Sequence, residues 1–225
     1  RKLWVEKRLP VVVGGTGFYV EALLNGVTPI PETPIEVRKQ LQARINQEGL
    51  ENLYKELQQK DAEIAAKLNP NDKTRIVRAL EVIAATGQKL SEWYKKPLIQ
   101  KLPEAHFITV KIMPSLDVIA TRCCLRLDKM VDELGVLAEI EKLLNKGVDE
   151  NMPAMKALGV PELSLFIKGQ MLLPEALDLA KLHTRQYAKR QRTWLKNKMS
   201  ADIVFENVYE GQKDYLQQIF NVIKL

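Results

Sequence analysis

The four residues Gly14-Gly15-Thr16-Gly17 follow the apolar, β-branched run Leu9-Pro10-Val11-Val12-Val13 and lead into a helical pattern over Thr16 to Leu24 that Gly26 closes. Such a turn, between a buried parallel strand and a helix, offers backbone N–H groups and the positive end of the helix dipole to an anion. Ligands collect at that end of the strands in open α/β sheets. The glycines let backbone and ligand approach closely, Thr16 carries a hydroxyl able to donate to a phosphate or bridging oxygen, and Tyr19 is placed to line the same pocket. A Gly-Gly turn with a capping threonine also occurs simply as a turn, and this one is not a Walker A loop, because no G-x-x-x-x-G-K-[ST] string occurs in the chain.

Two cationic rows stand on helical spacing. Arg122, Arg126 and Lys129 border an apolar stripe of Ile119, Cys123, Leu127 and Leu134, an arrangement suited to clamping a diphosphate at the edge of a core. The alternative is a solvated helix face paired with Asp128 or Asp132. Lys181, Arg185, Lys189, Arg192 and Lys196 step by three or four residues, which confines them to a stripe of roughly 80° on one helix, with Tyr187 and Trp194 on nearly the opposite side. An ordinary solvated face mixes signs, whereas no acid occurs from residue 179 to 201, so this stripe points to a nucleic-acid backbone. Arg75 and Arg78 form a smaller cationic pair.

These residues need a scaffold. With 225 residues and 46% hydrophobic content the chain can bury one good core, alone or with a small appendage, and disordered and fibrous classes fall away. Besides Leu9–Val13, strands are predicted at His106–Ile112 and Asp202–Glu206. Punctuation by Pro29, Pro31, Thr33 and Pro34, and again from Pro97 to Pro103, brackets helical patterns at Val37, Leu41, Ile45, then Leu50, Leu53, Leu57, then Ile76, Leu80, Ile83, with Asp72 as a helix N-cap. The expected organisation is an α/β core from residues 1–30 and 99–225 interrupted by a helical insertion at 31–98.

Net charge is +6, and the 181–198 segment alone carries seven Lys or Arg and no acid, so the basicity is a patch suited to a polyanionic partner. The only cysteines are the neighbours Cys123 and Cys124, which fit buried reduced thiols rather than a disulfide framework or a metal site. His106 and His183 are expected to be structural or surface groups. No apolar run approaches the ~20 residues that span a bilayer and no signal pattern opens the chain, which predicts a soluble, cytoplasmic protein without a membrane partner.

In order along the chain, Pro10-Val11-Val12-Val13-Gly14-Gly15-Thr16-Gly17-Phe18-Tyr19 with Ala22-Leu23-Leu24-Asn25-Gly26, then Asn69-Pro70-Asn71-Asp72 with Arg75, Arg78-Ala79-Leu80-Glu81-Val82 and Thr86-Gly87, then Arg122, Arg126 and Met130, and finally Thr184-Arg185-Gln186-Tyr187-Ala188-Lys189-Arg190-Gln191 with Thr193-Trp194, resemble the tRNA dimethylallyltransferase (tRNA isopentenylpyrophosphate transferase) family. The resemblance runs from about residue 9 to 206. It implies a P-loop-NTPase-like parallel-sheet core with a mostly helical insertion domain, and Mg²⁺-dependent transfer of dimethylallyl from its diphosphate to the exocyclic amine of adenosine-37 beside the tRNA anticodon, by a monomer.

By the same resemblance Thr16 lies at the reacting centre and Arg126 holds the diphosphate, together with Gly14, Gly15 and Arg122. The tRNA anticodon stem-loop is met by Arg38, Thr74, Arg75, Arg78, Lys156, Gly159, Arg185, Lys189, Arg190, Gln191, Arg192, Trp194 and Lys196. No metal ligand is assigned within this chain. Family members begin with a G-x-T-x-[SA]-G-K-[ST] loop followed by an acidic general base, both expected upstream of Arg1, so this chain alone is expected to be inactive. Where the family reads Ala-x-Gly-Tyr-[Arg/Lys], this chain reads Ala157-Leu158-Gly159-Val160-Pro161. The rival readings of the residues are a P-loop small-molecule kinase and a non-catalytic helical RNA-binding module.

Overall fold

The structure is a computed structural model and describes residues 1–150 and 152–223. It is mostly helical, with one small parallel sheet, and it divides into two compact units: Arg1–Gly17 with His106–Leu225, and Phe18–Ala105. Residues 18–30 and 99–105, expected in the α/β core, thus belong to the helical unit.

The Phe18–Ala105 unit is built on helices α2 (Gly17–Asn25), α3 (Ile35–Lys60), α4 (Ala62–Ala65), α5 (Lys73–Thr86) and α6 (Leu90–Tyr94), after a short α1 (Lys2–Val5) at the start of the chain. The apolar patterns at Val37, Leu41 and Ile45 and at Leu50, Leu53 and Leu57 form the two arms of α3, which part at Gly49, whose φ of 79° and ψ of 164° are not helical and suit a residue without Cβ. Arg44 spans the kink, bonded to Glu48 at 2.6 Å and Glu56 at 2.7 Å. Leu53 and Leu57 of α3 and Ile76 and Val82 of α5 are fully buried, which is why the four-residue apolar spacing produced these helices: each stripe is satisfied only against the other.

Helix ends in this unit follow their caps. The Asp72 carboxylate accepts from the Arg75 N–H at 3.1 Å, as expected, and Gly87 ends α5 in the left-handed region with φ 67°. Gly26 has φ 90°, and a Cβ there would stand 2.6 Å from the Ile99 carbonyl oxygen, because the isolated antiparallel bridge Val27–Ile99 brings the two ends of the unit together. The buried Asp61 caps α4 through the Ile64 N–H (3.3 Å) and accepts from the Ser91 N–H (2.9 Å), joining α4 to α6.

In the other unit, β1 (Val110–Ile112) and β2 (Ile203–Phe205) pair in parallel, with Val110 opposite Ile203 and Ile112 opposite Phe205. Between them run α7 (Leu116–Asp132), α8 (Val136–Asn145), a 3₁₀ turn (Pro153–Lys156), α9 (Val160–Ile167) and α10 (Leu173–Lys198), and α11 (Lys213–Ile223) follows. Parallel strands require such a long connection. Val136, Ile140, Leu163 and Ala176 form its core, and α10 packs on both α7 and α9, where buried Ala176 and Ala180 permit close approach. The register is clasped by Asp202, whose Oδ2 accepts from the Thr109 N–H (2.6 Å) and hydroxyl (2.8 Å) while its own N–H donates to the Thr109 carbonyl (3.0 Å).

The expected strands at His106–Ile112 and Asp202–Glu206 are therefore present but shortened to three residues each. Leu9–Val13 is not a strand: it has no ladder, and Val11, Val12 and Val13 are 77%, 72% and 91% exposed. β-branched character alone does not make a strand. A parallel strand exists only where a neighbouring ladder takes its N–H and C=O groups, and β1 and β2 pair with one another instead.

Asp61→Ala leaves two buried N–H donors without an acceptor and is expected to destabilise the protein by about 2–3 kcal/mol in urea unfolding. The Asp202 carboxyl is held below its ordinary value, chiefly by the Thr109 N–H and then by the hydroxyl. A depressed folded value adds stability that is present above about pH 4 and lost as pH falls through that folded value. The melting temperature of the native protein is therefore expected to drop more steeply below about pH 4 than that of Asp202→Asn; equal slopes would show that the clasp contributes nothing.

Candidate functional site

Helix α10 organises the residues expected to do chemistry. Pro174 in its first turn, and Glu175 accepting from the Leu172 N–H at 3.1 Å, start it. Its N-terminal half, with Ala176 and Ala180, is core. Its C-terminal half carries Arg185, Lys189, Arg190 and Lys196 exposed. Lys181 leaves the stripe, because it pairs with Asp128 at 2.5 Å. Arg192 is half-buried and its Nε donates to the Pro114 carbonyl at 3.0 Å.

The turn at 14–17 lies on this helix. The Gln191 side-chain amide donates to the Gly15 carbonyl at 3.0 Å, a Cβ built on Gly15 would collide with that amide, and one on Gly17 would penetrate the Trp194 indole. Neither glycine has a positive φ. They are glycines because of close approach, and Thr16 between them is exposed. Lys111, which spacing did not single out, donates from β1 to the carbonyls of Leu195 (3.2 Å) and Met199 (2.6 Å), satisfying C-terminal groups of α10 that have no partner within the helix. A cleft of about 870 Å³ opens beside it, lined by Lys111, Ser115, Arg192, Lys196, Glu206 and Glu210.

Arg122 and Arg126 are exposed on α7. Arg122 reaches Glu210 at 3.6 Å, and Lys129 pairs with Glu133, so the partners are not the Asp128 or Asp132 of the solvated-face reading. Among the described residues Arg126 has no salt bridge, which leaves its guanidinium available to an anion. Cys123 and Cys124 are free and half-buried, and burial pushes the Cys123 thiol up, keeping it protonated. His183 stands 2.5 Å from the buried Glu162, a structural role. No group of three His, Cys, Asp or Glu among the described residues could hold a metal, and no helix there is long and apolar enough to cross a membrane.

The IPP transferase family profile matches residues 1–198. A tRNA dimethylallyltransferase of Bradyrhizobium sp. (strain ORS 278) is 41% identical over 194 residues, covering 86% of this chain and 63% of that protein. The chain belongs to the IPP transferase family. It spans a little under two thirds of the length of that relative. The crystal structure of the tRNA isopentenylpyrophosphate transferase of Bacillus halodurans covers 99% of the chain at 30% identity with a TM-score of 0.57, over 68% of its own length. A structure of a eukaryotic dimethylallyltransferase acting on tRNA, at 22% identity, shares the fold, with a TM-score of 0.76 over 99% of this chain and 58% of its own.

The remaining residues of the IPP transferase pattern fall into two groups. In the Phe18–Ala105 unit, Thr74 and Arg75 are exposed, with Arg75 3.4 Å from Asp72. Arg38 and Arg78 converge on the buried Glu81 at 3.6 and 3.3 Å, and Arg78 also donates to the Thr33 hydroxyl at 2.7 Å. Spacing pointed to Arg78 and the family resemblance to Arg38, but neither pointed to this shared carboxylate. In the other unit Lys156 is exposed in the 3₁₀ turn, and Gly159 is buried with φ 90° at the N-cap of α9. Pro161 in the first turn of α9 explains why this chain tolerates Val160-Pro161: a proline there gives up an N–H that no helical bond uses.

Gly17→Ala drives a methyl into the Trp194 indole and is expected to lower stability by about 1–3 kcal/mol, read as a shifted denaturant midpoint. An unchanged midpoint would mean that α10 and the turn do not depend on one another.

Proposed function

We propose that the whole protein transfers a dimethylallyl group from dimethylallyl diphosphate to the exocyclic amine of adenosine-37 beside a tRNA anticodon. The observation that carries this reading is the seating of a glycine–threonine turn on a helix whose outward face is basic and acid-free, within an IPP transferase chain. The turn, with Gly14, Gly15 and the Thr16 hydroxyl, receives the diphosphate, and Arg126, with Arg122 beside it, neutralises the charge that gathers there. Arg185, Lys189, Arg190 and Lys196 meet RNA phosphates, while Arg75, Thr74 and Lys156 are further exposed contacts.

In the reaction the allylic C–O bond breaks, the diphosphate leaves with the electron pair, and the amine nitrogen forms the new C–N bond and gives up a proton to a base. The adenine must leave its stack for this to occur. That base, and a P-loop lysine completing a P-loop-type core, are not among the residues assigned to these roles and are proposed as further parts of the whole protein. Mg²⁺ is proposed as counter-ion to the diphosphate; the residues assigned here do not form a cage for it, and no step is assigned to it. A soluble, cytoplasmic monomer is the form proposed.

Incubating the full-length protein with labelled dimethylallyl diphosphate and bulk tRNA tests the reading. Label is expected in tRNA, and Thr16→Ala or Arg126→Ala is expected to lower the rate at least about tenfold. Absence of label with the native protein would overturn the assignment, and undiminished turnover in either variant would remove that residue from it.

A further inference from the structure

We propose that Gln191 and Trp194 are positioning residues that link RNA engagement on α10 to the geometry of the diphosphate turn, an inference that rests on the prenyl-transfer reading for its biological meaning. The sequence pattern placed both among the RNA contacts. In the structure each is spent on the turn: the Gln191 amide donates to the Gly15 carbonyl at 3.0 Å, and the Trp194 indole lies where a Cβ of Gly17 would be. They grip the two residues that flank Thr16.

Angular placement makes the division of labour physical. At 100° per residue Gln191 and Trp194 point about 140° and about 160° away from the stripe of Arg185, Lys189 and Lys196, while Arg190 lies on the Trp194 side. One rigid helix therefore presents Arg185, Lys189 and Lys196 on one side and holds the threonine turn on the other, with Arg190 bordering the turn side. Its C-terminal end is anchored independently, by Lys111 on the Leu195 and Met199 carbonyls and by Arg192 on the Pro114 carbonyl. A helix fixed at that end and bonded to the turn transmits any shift or stiffening caused by RNA phosphates to the Gly15 carbonyl and thus to Thr16. Coupling of this kind is reciprocal: RNA must tighten anion binding at the turn by the factor by which the anion tightens RNA binding.

The test is calorimetric binding of inorganic pyrophosphate to the full-length protein, with and without saturating tRNA, alongside tRNA binding alone. Native protein is expected to bind pyrophosphate at least about fivefold more tightly with tRNA present. Gln191→Met keeps the length of the side chain without the donor, and is expected to abolish that factor while tRNA affinity alone stays within about twofold and the melting temperature is retained. Trp194→Ala is expected to do the same and Trp194→Phe, which keeps a ring over Gly17, to restore most of the factor.

An unaltered factor in Gln191→Met, no factor in the native protein, or a loss of tRNA affinity as large as that of Lys189→Ala would each overturn the proposal. The last of these would make Gln191 an RNA contact. If the native protein transfers no prenyl group yet shows the factor and loses it in Gln191→Met, the prenyl-transfer reading falls and the positioning link stands.

Discussion

The absence of a side chain at Gly15 and Gly17 is the constraint around which the 1–17 and 106–225 unit is arranged. It lets the Gln191 amide reach a backbone carbonyl and the Trp194 indole lie against the chain, so that an irregular segment with no sheet partner is held by a helix instead. A turn fixed this way is pre-organised: Thr16 is exposed, yet the residues on either side of it are not free to move independently of α10. The two alanines that seat α10 on its neighbours, and the Lys111 bond to its last carbonyls, place the helix before any ligand arrives.

Electrostatics separates the cations into those already satisfied and those available. Lys181 is paired with Asp128, and Arg38 and Arg78 share the buried Glu81, so the fold itself uses part of the charge that the sequence displays. Arg185, Lys189 and Lys196 stay exposed along one face of α10 and Arg190 on another, in a stretch without acids. Uncompensated charge of this sort favours a polyanion and makes binding salt-dependent, in keeping with an IPP transferase whose relatives are tRNA dimethylallyltransferases.

Much of this is legible in the sequence. Apolar spacing marked the helices of the 18–105 unit, Asp72 marked the start of α5, and the ordered strings from Pro10 to Trp194 pointed to the family. Other features are not. The Leu9–Val13 run has strand composition and no strand, since pairing depends on a neighbour that local sequence cannot supply. Gly49 parts α3 into two helical arms, because its φ of 79° and ψ of 164° lie outside the helical region, a break that apolar spacing alone did not specify.

The sequence by itself determined residue chemistry and periodicity: where helices form, which faces are apolar or basic, and which family the chain resembles. These are local properties, set by side-chain type and by the 3.6-residue repeat. Only the tertiary structure decided which charges are neutralised, that Gln191 and Trp194 turn toward Gly15 and Gly17, and that Lys111 terminates α10. The contacts made by Gln191, Trp194 and Lys111 join residues 84 to 177 positions apart, and a bond over that separation exists only once packing has brought its two ends together.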